Sequence, residues 1–133
     1  MSYSSSSGDK VTVKNSEDIW KVALSHRNMD IIEYQEQVKL VLLNRVNKVL
    51  GIYDVSKGGT ASAVIDLKII LAIALKCNAH GIALLHNHPS GNLRPGDADK
   101  RLTKKLKDAC KLVDLVLLDH LIITKESYYS FAR

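Results

Sequence analysis

The spacing of apolar residues changes along the chain, and the changes divide it into eight predicted elements. Apolar residues every three or four positions predict amphipathic helices, and short continuous apolar runs predict buried strands. The elements follow the order helix, strand, strand, helix, strand, helix, strand, strand, at residues 16–26, 38–43, 49–55, 67–79, 81–86, 97–112, 115–124 and 128–131. Helices that cover a mixed sheet give an α/β or α+β layered fold.

Several local features refine this pattern. Ser16 has the position and chemistry of an N-cap for the first helix. Residues 67–79 are apolar on almost every side, which predicts a central helix buried all round. Residues 115–118 and 121–124 fit either one strand or two, and residues 28–35 fit no single element. Glycine and polar residues at 56–60 predict a loop.

Length and composition predict one domain. The 133 residues, 46% of them hydrophobic, suit a single domain at residues 11–133 that follows a flexible serine-rich tail at residues 1–10. No apolar run is long enough to cross a bilayer, and the amino terminus has no signal-peptide pattern. Cys77 and Cys110 lie in predicted helices, which favours buried thiols over a disulfide. We therefore expect a cytoplasmic location and no membrane contact.

The positive charge of the chain is concentrated on one predicted helix. The net charge is +5, and basic side chains recur through residues 100–111. Leucines and alanine form the apolar stripe of this helix, so the basic side chains must cover its outer side. A solvated surface is the favoured interpretation. Weak contact with nucleic acid is the alternative, because basic patches attract phosphates, although aromatic residues at 5% are too few for a stacking platform.

Two histidines and an aspartate form the strongest chemical pattern in the chain. His86 and His88 follow the apolar run at residues 81–85, and Asp99 comes eleven residues after the second histidine. Side chains two residues apart in an extended segment point the same way, so both rings can reach one ion. A carboxylate in the first turn of the next helix can face back toward them. Histidines at a strand end and an aspartate that complements the helix dipole are the structural alternative.

These residues, with their surroundings, resemble the RadC family and, more broadly, the JAMM (MPN+) metallohydrolases. The family signature of H-x-H-P followed by an aspartate appears as His86-Asn87-His88-Pro89 and Asp99. Further stretches similar to the family lie at residues 38–45, 55–60 and 118–123. The similarity runs roughly from Glu33 to the carboxyl terminus. The chain resembles the short, single-domain members, which lack the N-terminal helix-hairpin-helix region of the full-length proteins.

The resemblance implies a fold, a cofactor and a reaction. The fold would be a JAMM and cytidine-deaminase-like mixed sheet flanked by helices. His86, His88 and Asp99 would hold a zinc ion (Zn²⁺), and a zinc-activated water would hydrolyse an amide or isopeptide bond of an unknown protein or peptide. Glu36 matches the family's general base, with Glu33 as the alternative. Cytidine-deaminase chemistry is not expected, because the chain has neither H-x-E nor P-C-x-x-C.

One departure from the family pattern keeps a second interpretation open. Gly96 occupies the position three residues before Asp99 where the family has a serine. In the family that hydroxyl stabilises the reaction intermediate, and loss of one such donor typically costs about 10²–10³ in rate. The alternative to the enzyme is therefore a weak or inactive JAMM-like module that binds a protein or DNA, in keeping with the DNA-repair association in the family's name. His120 is either a residue that orients a ligand or a structural histidine of the core.

Overall fold

The structure is a computed structural model that describes residues 11–25, 36–55, 65–88 and 90–132. Eight elements follow the predicted order: α1 (Ser16–Leu24), β1 (Val38–Leu43), β2 (Val49–Asp54), α2 (Leu67–Lys76), β3 (Gly81–His86), α3 (Asp97–Leu112), β4 (Val116–Ile123) and β5 (Tyr128–Ser130). The two apolar runs after α3 form one strand, β4.

The strands form one mixed sheet in the order β2-β1-β3-β4-β5. The pair β3 and β4 is parallel, and the other neighbouring strands are antiparallel. A parallel pair needs a crossover connection, and α3 supplies it. At the carboxyl end of β3, His86 lies opposite Val38 of β1 and beside Ile122 of β4. The fold is thus the layered α/β arrangement that the sequence predicts.

Alternation along the strands gives the sheet an apolar core on each face. The core on the α1 face contains Ile19, Val22, Ala23, Val41, Leu43, Ala83, Leu85 and Leu121. The core on the α3 face, which α2 also covers, contains Val38, Leu40, Leu42, Ile70, Ala74, Ile82, Leu84, Leu106 and Cys110. β1 and β3 are buried at every position because both of their faces are covered.

The prediction that the second helix is buried all round is wrong. Within α2, Ile70 and Ala74 are buried. The side chains of Ile69 and Leu75 are 47% and 52% exposed. The helix lies on the outside of the sheet, so only one stripe of it contacts the core. Apolar periodicity does not reveal whether a second layer covers the other side of a helix.

The N-cap of α1 differs from the sequence prediction, and some other predictions concern residues that the structure does not describe. Asn15, rather than Ser16, is the N-cap of α1, and its side chain accepts a hydrogen bond from the backbone N–H of Asp18. Both cysteines are free thiols, and Cys110 is buried as predicted, whereas Cys77 is only half-buried. No described helix combines the length and the apolar character needed to cross a membrane. The predicted tail at 1–10, the segment 28–35 and the loop 56–60 lie outside the described residues.

Candidate metal centre

Three potential metal ligands meet at the carboxyl end of β3. His86 is the last residue of that strand, His88 follows two positions later, and Asp99 lies in the first turn of α3. The chain leaves β3 and returns as α3 with its amino-terminal end beside the two rings. One ligand atom from each of these residues lies within 4.8 Å of the others. The structure thus brings together the three residues that the sequence singled out.

The separations between the ligand atoms fit a small divalent ion. His86 Nε2 is 3.1 Å from His88 Nε2 and 3.3 Å from Asp99 Oδ1, and His88 Nε2 is 3.5 Å from Asp99 Oδ2. Tetrahedral zinc with bonds of about 2.0–2.1 Å places its ligand atoms about 3.3 Å apart. Two imidazoles and a carboxylate are also a ligand set that zinc accepts. The residues present therefore fit this ion.

The backbone around Asp99 holds its carboxylate in place. Gly96 is the N-cap of α3, and its N–H donates to Asp99 Oδ2 over 2.8 Å. The pKa of Asp99 lies well below its ordinary range, chiefly because of the neighbouring imidazole of His86. Partial burial opposes this effect, and the N–H of Gly96 adds to it. Asp99 is therefore a carboxylate at neutral pH, the form that binds a metal.

The proton of His88 is turned away from the centre. Its Nδ1 lies 2.8 Å from the backbone oxygen of Asn92. A carbonyl oxygen can only accept a hydrogen bond, so neutral His88 carries its proton on Nδ1. Its bare Nε2 then faces His86 and Asp99. Metal-ligating histidines commonly donate their other N–H to a carbonyl or carboxylate in this way.

Glu36, the predicted base, lies two residues before the first residue of β1. Gln37 and Asn87 continue the β1–β3 pairing past its last register pair, because Gln37 N–H donates to Asn87 Oδ1 over 2.7 Å and Asn87 N–H donates to Gln37 O over 3.4 Å. One step further along this antiparallel register, Glu36 comes opposite His88. Glu36 is half-buried. Its alternative, Glu33, lies outside the described residues.

A buried histidine, His120, contacts the nitrogen of His86 that faces away from the metal centre. His120 Nε2 is 2.8 Å from His86 Nδ1, and His120 Nδ1 is 2.6 Å from the hydroxyl of Thr103. Burial is the main cause that lowers the pKa of His120 from its ordinary value of 6.5 to about 3. The ring stacks on Phe131, with 4.4 Å between centroids. His120 is a candidate from the sequence, whereas Thr103 was not predicted, since its only signal is its spacing of four residues from Asp99 on one helix.

The position of Gly96 has room for a side chain. Its φ of −84° is ordinary for any residue, so glycine is not required by the backbone. A Cβ added there would first meet Asp99 Oδ2, at 3.5 Å, which is a normal van der Waals contact. Nothing in the immediate surroundings therefore excludes the serine that the family pattern has at this position.

A layered α/β domain with a histidine and aspartate cluster at the end of its central strand belongs to the class of domains that can hold a metal ion at that edge of the sheet. The sequence model of the family described as RadC-like JAB domain matches residues 13–133, so this chain belongs to the RadC family.

Relatives with curated sequences agree with this assignment. A UPF0758 protein of Flavobacterium johnsoniae is 46% identical over 96 residues, which cover 72% of this chain and 42% of the relative. Similar proteins of the same name from Streptococcus sanguinis and Haemophilus ducreyi are 40% and 39% identical, over 73% and 74% of this chain and 43% and 44% of theirs. The chain thus spans less than half the length of these relatives.

Proposed function

We propose that this domain is a zinc-dependent hydrolase of the RadC and JAMM type that cleaves an amide or isopeptide bond. The observation that carries the proposal is the convergence of three ligand side chains, with 3.1 Å between the two histidine Nε2 atoms and 3.3 and 3.5 Å from these atoms to the two oxygens of Asp99. His88 directs its unprotonated Nε2 at this cluster, and Asp99 directs its carboxylate at it. A divalent cation between these atoms would be attracted by the carboxylate and by the lone pair of the His88 nitrogen.

Each residue has a distinct task in the proposed reaction. His86, His88 and Asp99 would hold the ion. When bound, zinc supplies Lewis-acid chemistry, since it polarises a carbonyl group and lowers the pKa of water toward neutrality. Glu36, opposite His88, would accept the proton of the attacking water and pass it to the departing amine. Gly96 offers no hydroxyl to the developing oxyanion, so we expect hydrolysis to be slow.

A measurement of bound zinc distinguishes the residues that hold the metal ion from the residue that acts as the base. After loading with zinc and dialysis, we expect about one zinc per chain, a stoichiometry that mass spectrometry or plasma emission measures directly. His86→Ala and His88→Ala should lose the ion. Glu36→Gln is the matched control, because it should keep the zinc and lose hydrolysis, and Glu33→Gln tests the alternative base. Absence of bound divalent metal from the folded wild type would overturn the proposal.

Hydrolysis needs a second measurement. The probes are a peptide mixture and a set of lysine-linked isopeptides, and the readout is the release of amino groups in zinc-loaded protein. Activity that disappears in Glu36→Gln supports the enzyme. If the zinc-loaded wild type is inactive and Gly96→Ser is active, the native domain is a metal-containing module without catalysis. If both are inactive on every probe, the proposed hydrolysis is wrong.

A second candidate function, contact with nucleic acid, is favoured by the distribution of charge on α3. Lys100, Lys104, Lys107 and Lys111 are all exposed. Their spacing places them in one row along the helix, over about 16 Å at 1.5 Å per residue. The row begins beside Asp99, so a bound phosphate backbone would extend from the candidate metal centre.

Salt dependence tests this second candidate. We expect a labelled DNA duplex to bind weakly at low salt, with an affinity that falls as salt rises. The double variant Lys100→Gln and Lys107→Gln should lower the slope of log affinity against log salt by about two. Lys48→Gln with Lys76→Gln removes the same charge elsewhere and should leave the slope unchanged. No binding at low salt, or equal effects of both pairs, would contradict a DNA-binding row.

A further inference from the structure

A chain of hydrogen bonds leads from the backbone of α3 to the proposed metal ligand His86. The hydroxyl of Thr103 donates to the backbone oxygen of Asp99 over 2.8 Å. The same oxygen atom of Thr103 lies 2.6 Å from His120 Nδ1. At the other side of the ring, His120 Nε2 lies 2.8 Å from His86 Nδ1. The chain ends at His86 Nε2, which faces the centre.

The direction of each hydrogen bond follows from counting protons. The single hydroxyl proton of Thr103 is used on the carbonyl, so Thr103 must accept from His120 Nδ1–H. His120 has no exposed surface, and such burial disfavours a charged ring. Its Nε2 is then bare and must accept from His86 Nδ1–H. Neutral His86 consequently has a bare Nε2, as a metal ligand requires.

The opposite arrangement would disable the site. If the hydroxyl of Thr103 turned to donate to His120 Nδ1, the proton of His120 would sit on Nε2 and donate to His86 Nδ1. His86 would then carry its own proton on Nε2, directed at the centre. The two arrangements use the same atoms and differ in which nitrogen of each ring is protonated. What selects between them is the hydrogen bond from Thr103 to the backbone of α3.

We infer that Thr103 and His120 are positioning residues that fix the tautomer of His86 and so prepare the site for a metal ion. This inference rests on the proposed metal site. It links that site to the helix that carries Asp99, because the same peptide unit that anchors Thr103 belongs to that ligand. Partners of this kind typically change metal affinity by about 10- to 100-fold when they are removed.

The first test compares two variants of Thr103 by zinc affinity. Thr103→Val keeps the shape and removes the hydroxyl, and it should weaken zinc binding by about 10- to 100-fold in competition with a chromophoric chelator. Thr103→Ser keeps the hydroxyl and should bind close to the wild type. Equal affinity of the two variants would overturn the inference. Thermal unfolding of both metal-free variants shows whether a loss of fold accounts for any difference.

The second test reads the tautomer without any metal. In metal-free protein at neutral pH, nitrogen NMR of the histidine rings should place the proton of His86 on Nδ1 and that of His120 on Nδ1. Thr103→Val should change this pattern, and Thr103→Ser should keep it. A proton on His86 Nε2 in the wild type would overturn the inference. If the wild type has the expected tautomers but binds no zinc, the proposed function fails while the tautomer assignment stands.

A pair of variants at His120 serves if Thr103→Val does not fold. In His120→Gln, the amide oxygen can accept from His86 Nδ1–H and the amide nitrogen can donate to Thr103, so zinc affinity should be largely kept. His120→Leu can do neither and should lose about 10- to 100-fold. Both variants lose the stacking on Phe131, so the stacking does not explain a difference between them. Equal zinc affinity of these two variants would contradict the assigned role.

Discussion

Asp119 and Asp99 lie on opposite faces of the same sheet, and their carboxylates have different kinds of partner. Asp119 is buried, and its carboxylate accepts from Ser16 Oγ (2.6 Å), Ser130 Oγ (2.6 Å), His120 N (2.7 Å) and Ala132 N (3.0 Å). These four donors join the start of α1 to the last strand. Asp99 accepts one backbone N–H, from Gly96, and otherwise faces imidazole nitrogens.

The difference shows how a structural carboxylate is distinguished from a functional one. Each of the four contacts to the Asp119 carboxylate pairs a donor with an acceptor, so this carboxylate is satisfied within the protein. Asp99 has one such donor, the N–H of Gly96, and its other short contacts are with imidazole nitrogens that a metal ion could bridge. Consecutive strand residues point to opposite faces, and Asp119 therefore belongs to the structural network while His120 belongs to the candidate centre. Burial alone does not separate the two roles.

The largest expected effect comes from removing each carboxylate in turn. Asp119→Ala leaves four donors without their acceptor and should lower the free energy of unfolding by about 4 kcal/mol. Asp99→Ala in metal-free protein removes one capping hydrogen bond rather than the acceptor of four, so it should lower stability by only about 1 kcal/mol. Urea unfolding at neutral pH measures both. Equal losses would show that the two clusters do not differ in the way described.

The next largest expected effect is on the rate of hydrolysis and concerns only the cluster around Asp99. Gly96→Ser restores a hydroxyl beside Asp99, at a position where a Cβ meets its nearest atom at 3.5 Å. If the hydroxyl stabilises the transition state, hydrolysis should rise by about 100-fold, or about 2.7 kcal/mol. Gly96→Ala is the matched control, because it adds the Cβ without the hydroxyl. A similar rate in both variants would mean that the missing hydroxyl does not limit the reaction.

The smallest effect tests the burial of His120 through its pH dependence. The pKa of this ring is lowered from 6.5 to about 3 in the folded protein, chiefly by burial. Between these values the unfolded chain binds a proton that the folded chain does not, so stability falls as the pH falls. The wild type without metal should lose about 1 kcal/mol between pH 6.5 and 5.5 from this ring.

His120→Gln is the reference for this pH effect, because it removes the ring and its titration. The difference between the two proteins in urea unfolding isolates the contribution of His120 from that of the other histidines. If stability changes with pH to the same extent in both, His120 is not held neutral by burial, and the comparison between a completed and an incomplete cluster weakens.

Local periodicity explains why most elements could be predicted. The bounds of α3, Asp97–Leu112, match the prediction because its apolar stripe and basic outer side repeat at helical spacing. The bounds of β1 and β3 also match the prediction, because strands that are buried at every position have continuous apolar sequences. The prediction that α2 is buried on all sides was wrong, because the exposure of Ile69 and Leu75 depends on which layers surround the helix. The N-cap of α1 was placed one residue too late because Asn15 and Ser16 are both good caps.

The sequence by itself determined the set of candidate ligands and the resemblance to a family, and the tertiary structure decided how those groups are held. The spacing of His86, His88 and Asp99 is local enough to be seen in a strand followed by a helix. The contact between His86 and His120 joins residues 34 positions apart, and that between Asp119 and Ser16 joins residues 103 apart. Such contacts depend on strand order and register, which no local pattern fixes. Only the folded chain therefore separates the completed cluster at Asp119 from the incomplete one at Asp99.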